Sequence, residues 1–209
     1  MTTETDNTAT LTRRSRFLWL LALLALQVLY FPMNRLISGG VILTFRWDDL
    51  VPFWPAWAVP YLLGLSWWTG CYVWAAVKME DRRYRAFILA GAFTAITSYI
   101  VYLVYPTYIE RPAIQGNGWQ FELIRWIYRN DRLNNAFPSG HTYASVLILI
   151  FWWNWRPKLR ILWTAFALII ILSTLFTGQH NLPDPLGGIL WAVMGSCFGW
   201  WWVGRFGRR

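Results

Sequence analysis

Only two histidines occur in the chain, His141 and His180, and His180 is followed four residues later by Asp184. A carboxylate at that spacing can accept a hydrogen bond from one ring nitrogen of His180, which fixes the tautomer and leaves the other nitrogen free as a nucleophile. Two histidines and an aspartate can equally form a three-ligand catalytic zinc site. The residue types and their spacing leave both chemistries open.

The residues around His141 are those of a turn that opens a helix. In the run Pro138-Ser139-Gly140-His141-Thr142, Ser139 is a good N-cap residue and Gly140 allows the backbone to approach a ligand closely. Free N–H groups and the positive end of the helix dipole make such a helix start a natural phosphate seat. His141 is then placed to exchange a proton with a bridging oxygen. A plain capping turn with an interfacial histidine is the alternative.

The segments that end at the two histidines form one predicted helical hairpin. Two strongly apolar runs, residues 140–155 and 159–177, are joined by a short basic link over residues 156–160. A short link makes consecutive helices antiparallel. The hairpin therefore returns both histidines, each at the end of its run away from the link, to the same side of the protein.

The composition indicates a membrane protein. Of the 209 residues, 56% are hydrophobic and only 14% are charged, which is too apolar for an ordinary soluble domain. Charged clusters separate apolar runs that are close to the ~20 residues a spanning helix needs. The six predicted spans are residues 17–34, 52–77, 86–105, 140–155, 159–177 and 185–204. We expect an all-α polytopic fold, a six-transmembrane-helix bundle in one domain over residues 17–209, after a disordered cytoplasmic tail over residues 1–16.

The basic residues follow membrane topology, although the formal charge of +9 could by itself indicate nucleic-acid binding. Of 19 lysines and arginines, 13 lie on alternate links and both tails, and six lie on the other links. The positive-inside rule then puts both termini in the cytoplasm and both histidines outside. We therefore expect a protein of the plasma membrane with an extracytoplasmic active site, whose partners are the bilayer and a lipid, with no nucleic acid and no obligate protein partner.

The long outer link between spans three and four contains a further helical pattern. Residues 119–132 have helical spacing, with one apolar side and a basic stripe formed by Arg125, Arg129 and Arg132 at i, i+4 and i+7. This stripe fits the solvated face of an interfacial helix on lipid headgroups. It fits equally well arginines that reach over the site and hold an anionic headgroup.

These residues together resemble the type-2 phosphatidic acid phosphatase superfamily of membrane lipid phosphatases and phosphotransferases. That family has three motifs in order: Lys-x6-Arg-Pro, Pro-Ser-Gly-His and Ser-Arg-x5-His-x3-Asp. Arg111-Pro112 matches the end of the first motif, residues 138–141 match the whole second, and His180 with Asp184 match the core of the third. The resemblance covers nearly all of the six predicted spans.

The resemblance implies metal-free phosphoryl transfer through a phosphohistidine, with no cofactor. His180 would attack phosphorus, Asp184 would orient it, and His141 would protonate the leaving group. Arg111, Ser139 and the Gly140 N–H would hold the equatorial oxygens, where the charge of the transition state must be stabilised.

Two positions depart from the family pattern. The lysine of the first motif falls on Val104 and the arginine of the third falls on Thr174. In lacking that arginine, the chain resembles the inositol phosphorylceramide synthase branch of the family. The second motif of that branch, however, usually has leucine where this chain has Gly140. We expect Arg125, Arg129 or Arg132 to supply the missing positive charge.

Three functions are therefore considered. The first is a phosphatase of a membrane lipid phosphate or diphosphate at the outer face. The second is a phosphotransferase that moves a phospho-headgroup such as phosphoinositol onto a lipid or polyol. The third, a membrane carrier with histidines in a proton path, fits less well, because transporter sites usually lie near the bilayer midplane and both histidines lie at helix ends.

Overall fold

A computed structural model describes residues 10–206 of the chain, which fold into α-helices and connecting loops. In this described part there is no β-strand, only two isolated bridges. The eight α-helices are α1 (Arg13–Val28), α2 (Tyr30–Leu36), α3 (Ala58–Lys78), α4 (Asp81–Val104), α5 (Trp119–Asn130), α6 (Gly140–Trp155), α7 (Arg160–Phe176) and α8 (Pro183–Phe206). The prediction of an all-α fold is confirmed.

Within the described residues, four helical segments are long and apolar enough to cross a membrane. They are Arg13–Leu36, Asp81–Val104, Pro157–Phe176 and Pro183–Phe206. Predicted spans two and four correspond to α3 and α6, which do not meet both conditions. The 16 residues of α6 fall short of the ~20 that a full crossing needs. α3 has 21 residues, but its tryptophans and tyrosines keep its mean hydropathy below that of the four segments. The four segments are compatible with an integral membrane protein.

The first helix begins within the predicted disordered tail. Residues 1–9 of that tail lie outside the described residues, but residues 13–16 are helical, so the predicted boundary is wrong there. The side chain of Thr12 caps the helix by accepting a hydrogen bond of 3.1 Å from Ser15 N. Arg16 forms an ion pair with Asp81 (2.6 Å) and donates to the Ala75 and Ala76 carbonyls. These contacts fix the basic segment against the turn between α3 and α4.

The hairpin of α6 and α7 forms as predicted. α6 occupies residues 140–155, and a short turn at Pro157–Leu159 leads directly into α7. α7 begins and ends one residue inside its predicted bounds, and α8 begins two residues before its predicted start. The start of α6 and the end of α7 therefore lie side by side.

Close helix contacts at glycines bring α8 against this hairpin. A Cβ atom at Gly188 would lie 2.6 Å from Thr142 Cβ and 2.7 Å from the Ser139 carbonyl oxygen. A Cβ at Gly195 would similarly lie 2.6 Å from Thr94 of α4. Small residues let helix backbones approach closely. Gly188 thus allows the first turn of α8, which carries Asp184, to pack against the start of α6.

α5 and the loop before α3 cover the end of the bundle at which the two histidines lie. Ile124 and Ile127 of α5 are buried against Ala58 and Tyr61 of α3, so the predicted apolar side of α5 faces the protein. α5 ends two residues before the predicted limit, because Asp131 has an extended backbone. In the loop before α3, Asp48 accepts a 2.6 Å hydrogen bond from Leu182 N and so holds the loop that precedes α8.

Candidate active site

The two histidine rings lie next to each other, His141 at the start of α6 and His180 in the loop between α7 and α8. Their ring centroids are 6.3 Å apart and their planes are inclined by 64°. An attacking atom lies about 3–3.5 Å from its target before reaction, and a proton donor lies about 2.6–3.2 Å from the oxygen it protonates. The separation of the two ring centroids is close to the sum of these two contact distances. The structure therefore brings His141 and His180 together at the scale that shared chemistry on one phosphorus requires.

Asp184 fixes the orientation of His180. Asp184 Oδ2 lies 3.2 Å from His180 Nδ1 and accepts a second hydrogen bond of 3.0 Å from Asn181 N. The Asp184 side chain is only 1% exposed, so water does not compete for it. This contact makes Nδ1 the nitrogen that carries the proton. The Nε2 lone pair of His180 then remains available as a nucleophile.

The turn before α6 has the predicted cap. Ser139 Oγ accepts hydrogen bonds from Thr142 N (3.4 Å) and from Thr142 Oγ1 (3.2 Å). Ser139 N donates to the Asp184 carbonyl oxygen at 3.0 Å, which ties the turn to the start of α8. The N–H groups of Gly140 and His141 lie in the first turn of α6, where a helix offers no acceptor. The prediction that Ser139 is an N-cap is confirmed, and the N–H groups that follow it suit an anion.

Aromatic side chains hold the ring of His141. Tyr61 stacks on it with a centroid distance of 4.3 Å, and Trp68 contacts it edge-on at 5.1 Å. Trp68 is itself fixed by a 3.0 Å hydrogen bond to Ser145 Oγ. Neither ring nitrogen of His141 has a hydrogen-bond partner among residues 10–206. The ring is therefore positioned by stacking, and its nitrogens remain free to exchange a proton with a substrate.

Arg111 lies beside the histidine pair, where its guanidinium is held by the protein. It donates to the Tyr128 carbonyl (3.2 Å), to the Arg132 carbonyl (3.1 Å) and to Gln179 Oε1 (2.5 Å). Its Cζ also lies 4.3 Å above the centre of the Tyr128 ring. Burial lowers the pKa of the Arg111 guanidinium, while the nearby Asp131 carboxylate opposes this shift. Gln179 directly precedes His180, so Arg111 is linked to His180 through one residue.

The three arginines of the basic stripe do not act as one group. Arg125 forms an ion pair with Glu122 (2.5 Å) and donates to the Gly116 carbonyl (2.7 Å), so its charge is already partnered. Arg132 donates to the Arg35 carbonyl at 3.3 Å. The exposed side chain of Arg129 has no partner within residues 10–206. Of the three, Arg129 is therefore the one whose guanidinium is available to a ligand.

At the two positions where the family motifs have a lysine and an arginine, this chain has side chains that cannot carry a positive charge. Val104 is 79% exposed at the end of α4. Thr174 is buried, and its hydroxyl donates to the Ile171 carbonyl at 2.7 Å. The Thr174 carbonyl accepts from the backbone N–H groups of Gln179 (2.9 Å) and His180 (3.2 Å). Position 174 thus holds the loop that carries His180 through its backbone carbonyl and adds no charge to the site.

Sequence reasoning missed Asp131 as a residue of this site. Its two carboxylate oxygens accept hydrogen bonds from the hydroxyls of Tyr30 (2.8 Å) and Tyr61 (3.1 Å). Burial raises the pKa of Asp131, and the Tyr30 hydrogen bond and the nearby Arg111 and His180 partly oppose this. A single acidic residue inside the basic stripe was the signal that could have indicated it. Asp131 fixes the tyrosine on which His141 stacks.

A mainly apolar cavity of about 600 Å³ reaches both Asp131 and His141. It lies between α1, α3 and α5, and the exposed apolar side chains at its rim include Val28, Phe31 and Leu65. Its polar end is formed by Asp131, Tyr61 and His141, together with Gly140. The cavity therefore joins an apolar surface of the bundle to Gly140 and His141 at the start of α6.

The raised pKa of Asp131 predicts a stability that falls with pH. Below the ordinary carboxyl pKa of about 3.9 both folded and unfolded chains bind the proton. As pH rises from there towards the raised folded pKa, the unfolded chain loses its proton first, so the free energy of unfolding decreases. Asp131→Asn removes this titration. The unfolding midpoint of the variant in detergent, minus that of the wild type, should increase between pH 4 and pH 8.

Glu122→Gln, which removes an exposed carboxylate of α5, is the matched control and should show no such increase. Asp131→Asn itself loses one hydrogen bond, because its amide oxygen replaces only one of the two carboxylate acceptors. This loss lowers the free energy of unfolding by about 1 kcal/mol at every pH. A difference between Asp131→Asn and wild type that stays constant across the range would contradict the prediction.

The described residues do not form a metal-binding cluster. Among residues 10–206, no group of three or more histidine, cysteine, aspartate or glutamate side chains is arranged to hold a metal ion. Asp184 instead contacts the Nδ1 atom of His180. The arrangement thus differs from the three-ligand zinc set that the sequence left open.

Comparison with known proteins identifies the family. No curated protein and no solved structure matches the chain. A family model described as the PAP2 superfamily matches residues 85–208, more than half of the chain. The matched region contains Arg111, the turn at residues 138–141, and His180 with Asp184. The chain therefore belongs to the PAP2 superfamily.

Proposed function

We propose that this protein is an integral-membrane phosphatase of a lipid phosphate or lipid diphosphate that acts through a phosphohistidine. The observation that carries the proposal is the pair of facing imidazoles, of which His180 is oriented by the buried Asp184. PAP2 superfamily members are generally phosphatases or hydrolases, which supports a phosphatase-type activity. No cofactor enters the proposed reaction.

In the first step His180 Nε2 attacks phosphorus and the bond from phosphorus to the leaving oxygen breaks. His141 enters the step as the imidazolium and donates one proton to that oxygen, so the lipid alcohol or lipid phosphate leaves in neutralised form and the His141 ring becomes neutral. Asp184 accepts the Nδ1 hydrogen bond and stabilises the positive charge that develops on the ring. Arg111, Ser139 and the Gly140 N–H hold the equatorial oxygens, where charge is spread in the transition state.

In the second step water replaces the lipid. His141, which has lost its proton, accepts one from the water as the oxygen attacks phosphorus, and the phosphorus–nitrogen bond breaks. Inorganic phosphate leaves and both histidines return to their starting protonation states. An acceptor hydroxyl in place of water would give phosphotransfer with the same proton movements.

The apolar cavity supports a lipid as the substrate. A volume of about 600 Å³ lies within the range of ligand sites, and its walls are mainly apolar. Its polar end lies at His141, where the phosphate of a lipid whose chain fills the cavity would be placed. A small water-soluble phosphate would leave the apolar part unused. The bilayer and the lipid are the partners in this proposal, with no protein required.

The charge distribution supports the orientation of the site. Arg16, at the cytoplasmic end proposed from the sequence, is tied to the turn between α3 and α4, and the basic link 156–160 joins α6 to α7. Both histidines lie at the other end of the hairpin. We propose six spans in the plasma membrane, with both termini cytoplasmic and the histidines extracytoplasmic.

A panel of lipid phosphates tests the function. Detergent-purified protein is given phosphatidic acid, a prenyl diphosphate and a phosphoinositol lipid, each with and without inositol, and free phosphate and new lipid products are measured. Release of phosphate without an acceptor supports the phosphatase. A new phosphoryl-lipid that forms only with an acceptor supports the transferase. The threonine at position 174 favours this alternative, because it resembles the transferase branch that lacks the arginine of the third motif. No turnover of any member, relative to a His180→Ala blank, would contradict both.

The arginine stripe gives a prediction about substrate binding. Arg129→Ala should raise KM for a lipid phosphate about 10-fold, because a hydrogen bond to a charged group contributes about 1.5–3 kcal/mol. Arg125→Ala is the matched variant and should change KM little, since its guanidinium is paired with Glu122. Arg132→Ala should lie between them. Unchanged turnover and KM in all three variants would exclude the stripe from headgroup binding.

A further inference from the structure

The amide of Gln179 has an orientation fixed by Arg111. Arg111 Nη2 lies 2.5 Å from the amide atom assigned as Oε1. A guanidinium only donates hydrogen bonds, so the atom that faces it must be the oxygen. The Nε2 group of Gln179, with its two hydrogens, therefore faces away from the guanidinium.

That Nε2 group is a buried donor without a partner. Gln179 is only 5% exposed, and its Nε2 atom has no hydrogen bond. Arg111 Nε is also buried and without a partner. A buried unsatisfied donor costs about 1–3 kcal/mol, and buried polar groups in folded proteins are nearly always paired. Two such donors on contacting side chains fit a ligand that presents several oxygens.

The loop that carries Gln179 is held firmly beside the nucleophile. The backbone N–H groups of Gln179 and His180 both donate to the Thr174 carbonyl. Gly178 has a φ of +64°, and a Cβ atom there would lie 2.5 Å from Pro112 Cδ. Glycine at this position therefore lets the loop contact the residue next to Arg111. The result is a fixed arrangement of Arg111, Gln179 and His180.

We propose that Gln179 binds the phosphate of the substrate through Nε2 and replaces, as a neutral donor, the cation that position 174 lacks. The inference rests on the proposed phosphoryl-transfer function of the site. One side of the amide orients Arg111, and the other donates to an equatorial oxygen of the phosphate that His180 attacks. Arg111 Nε donates to the same phosphate group.

Two substitutions separate phosphate binding from simple positioning of Arg111. Gln179→Glu keeps the size of the side chain and the acceptor for Arg111, but replaces the free donor with a negatively charged oxygen. Gln179→Met removes both the acceptor and the donor without adding charge. If Gln179 binds phosphate, the Glu variant should lose more activity than the Met variant. If Gln179 only orients Arg111, the Glu variant should resemble the wild type and the Met variant should be worse.

The expected loss of kcat/KM for Gln179→Glu is about 100-fold or more, since this variant loses the donor to a transition-state oxyanion and also places a negative charge beside the negatively charged phosphate. For Gln179→Met, kcat/KM should fall about 10-fold, which is at the lower end of the loss expected for one missing hydrogen bond to a charged group. Unfolding midpoints of both variants in detergent should remain close to that of the wild type, which shows that the fold persists.

Orthovanadate, a phosphate analogue, provides a measurement that does not need turnover. Its stabilisation of the protein against thermal unfolding should be weakest in Gln179→Glu and intermediate in Gln179→Met. Equal vanadate stabilisation in Gln179→Glu and wild type would overturn the assignment of Gln179, even if the wild type hydrolyses lipid phosphates. Failure of the wild type to turn over any lipid phosphate, with vanadate bound in the expected order, would instead contradict only the proposed function.

Discussion

His180→Ala is expected to lower the turnover of lipid phosphates by about 10⁴–10⁶-fold, the range lost when the nucleophile of a catalytic unit is removed. His180 is the ring that Asp184 orients, and its Nε2 is the proposed nucleophile. Alanine removes the atom that is proposed to form the covalent intermediate, and direct attack by water on the phosphate would be much slower. The fold should persist, because the His180 backbone bond to Thr174 is retained.

The measurement is covalent labelling by a substrate that carries radioactive phosphate, quenched during turnover. Wild-type protein should carry a phosphoramidate label, which is stable in alkali and lost in acid, and His180→Ala should carry none. Asp184→Asn is the matched variant: it keeps the nucleophile but should lose activity about 10⁴-fold, as happens when the orienting carboxylate of a catalytic histidine is replaced. A label that persists in His180→Ala and disappears in His141→Ala would reverse the assigned roles.

The helices that position the two histidines could be predicted because the sequence signals for these helices are local. The apolar runs and the basic link determine the hairpin of α6 and α7, and Ser139 marks the start of α6 by its side chain alone. The contact between His141 and His180 follows from that hairpin. The pairing of His180 with Asp184 follows from a separation of four residues. Each of these predictions depends on residues close in sequence.

Contacts between distant segments were not predictable from one sequence. Asp131 is bonded to Tyr30 and Tyr61, which lie 101 and 70 residues away. Gln179 meets Arg111 across 68 residues. No periodicity or spacing rule links such positions, because tertiary packing alone brings them together. These long-range contacts determine which polar atoms of the site are satisfied and which remain free.

Two differences between prediction and structure have causes that lie close in sequence, where a stronger neighbouring pattern conceals them. The helical spacing predicts Arg125 and Arg129 on α5 correctly, but the helix ends before Arg132. Glu122 lies three residues before Arg125 and pairs with its guanidinium. The start of α1 was placed at residue 17 because the preceding residues are polar and basic. Thr12 caps that helix and Asp81 neutralises Arg16, so the helix extends through the charged residues.

His141→Ala is expected to have an effect that depends on the leaving group. With a lipid phosphate, whose alkoxide needs a proton to leave, kcat should fall about 10²–10⁴-fold, the usual contribution of general acid catalysis. With p-nitrophenyl phosphate, whose phenolate leaves without a proton, the first step should be nearly unaffected. His141 is also the proposed base that activates water, so the second step should still be slow.

The variant should therefore release one equivalent of p-nitrophenol per active site in a rapid burst, followed by slow turnover, with phosphate trapped on His180. Stopped-flow absorbance measures the burst, and the labelling experiment measures the trapped phosphate. His141→Phe is the control for packing, since it keeps an aromatic ring between Tyr61 and Trp68 and should show the same burst. An equal loss with both substrates, without a burst, would mean that His141 positions the phosphate and transfers no proton. The free nitrogens of a ring held only by stacking favour the proton-transfer outcome.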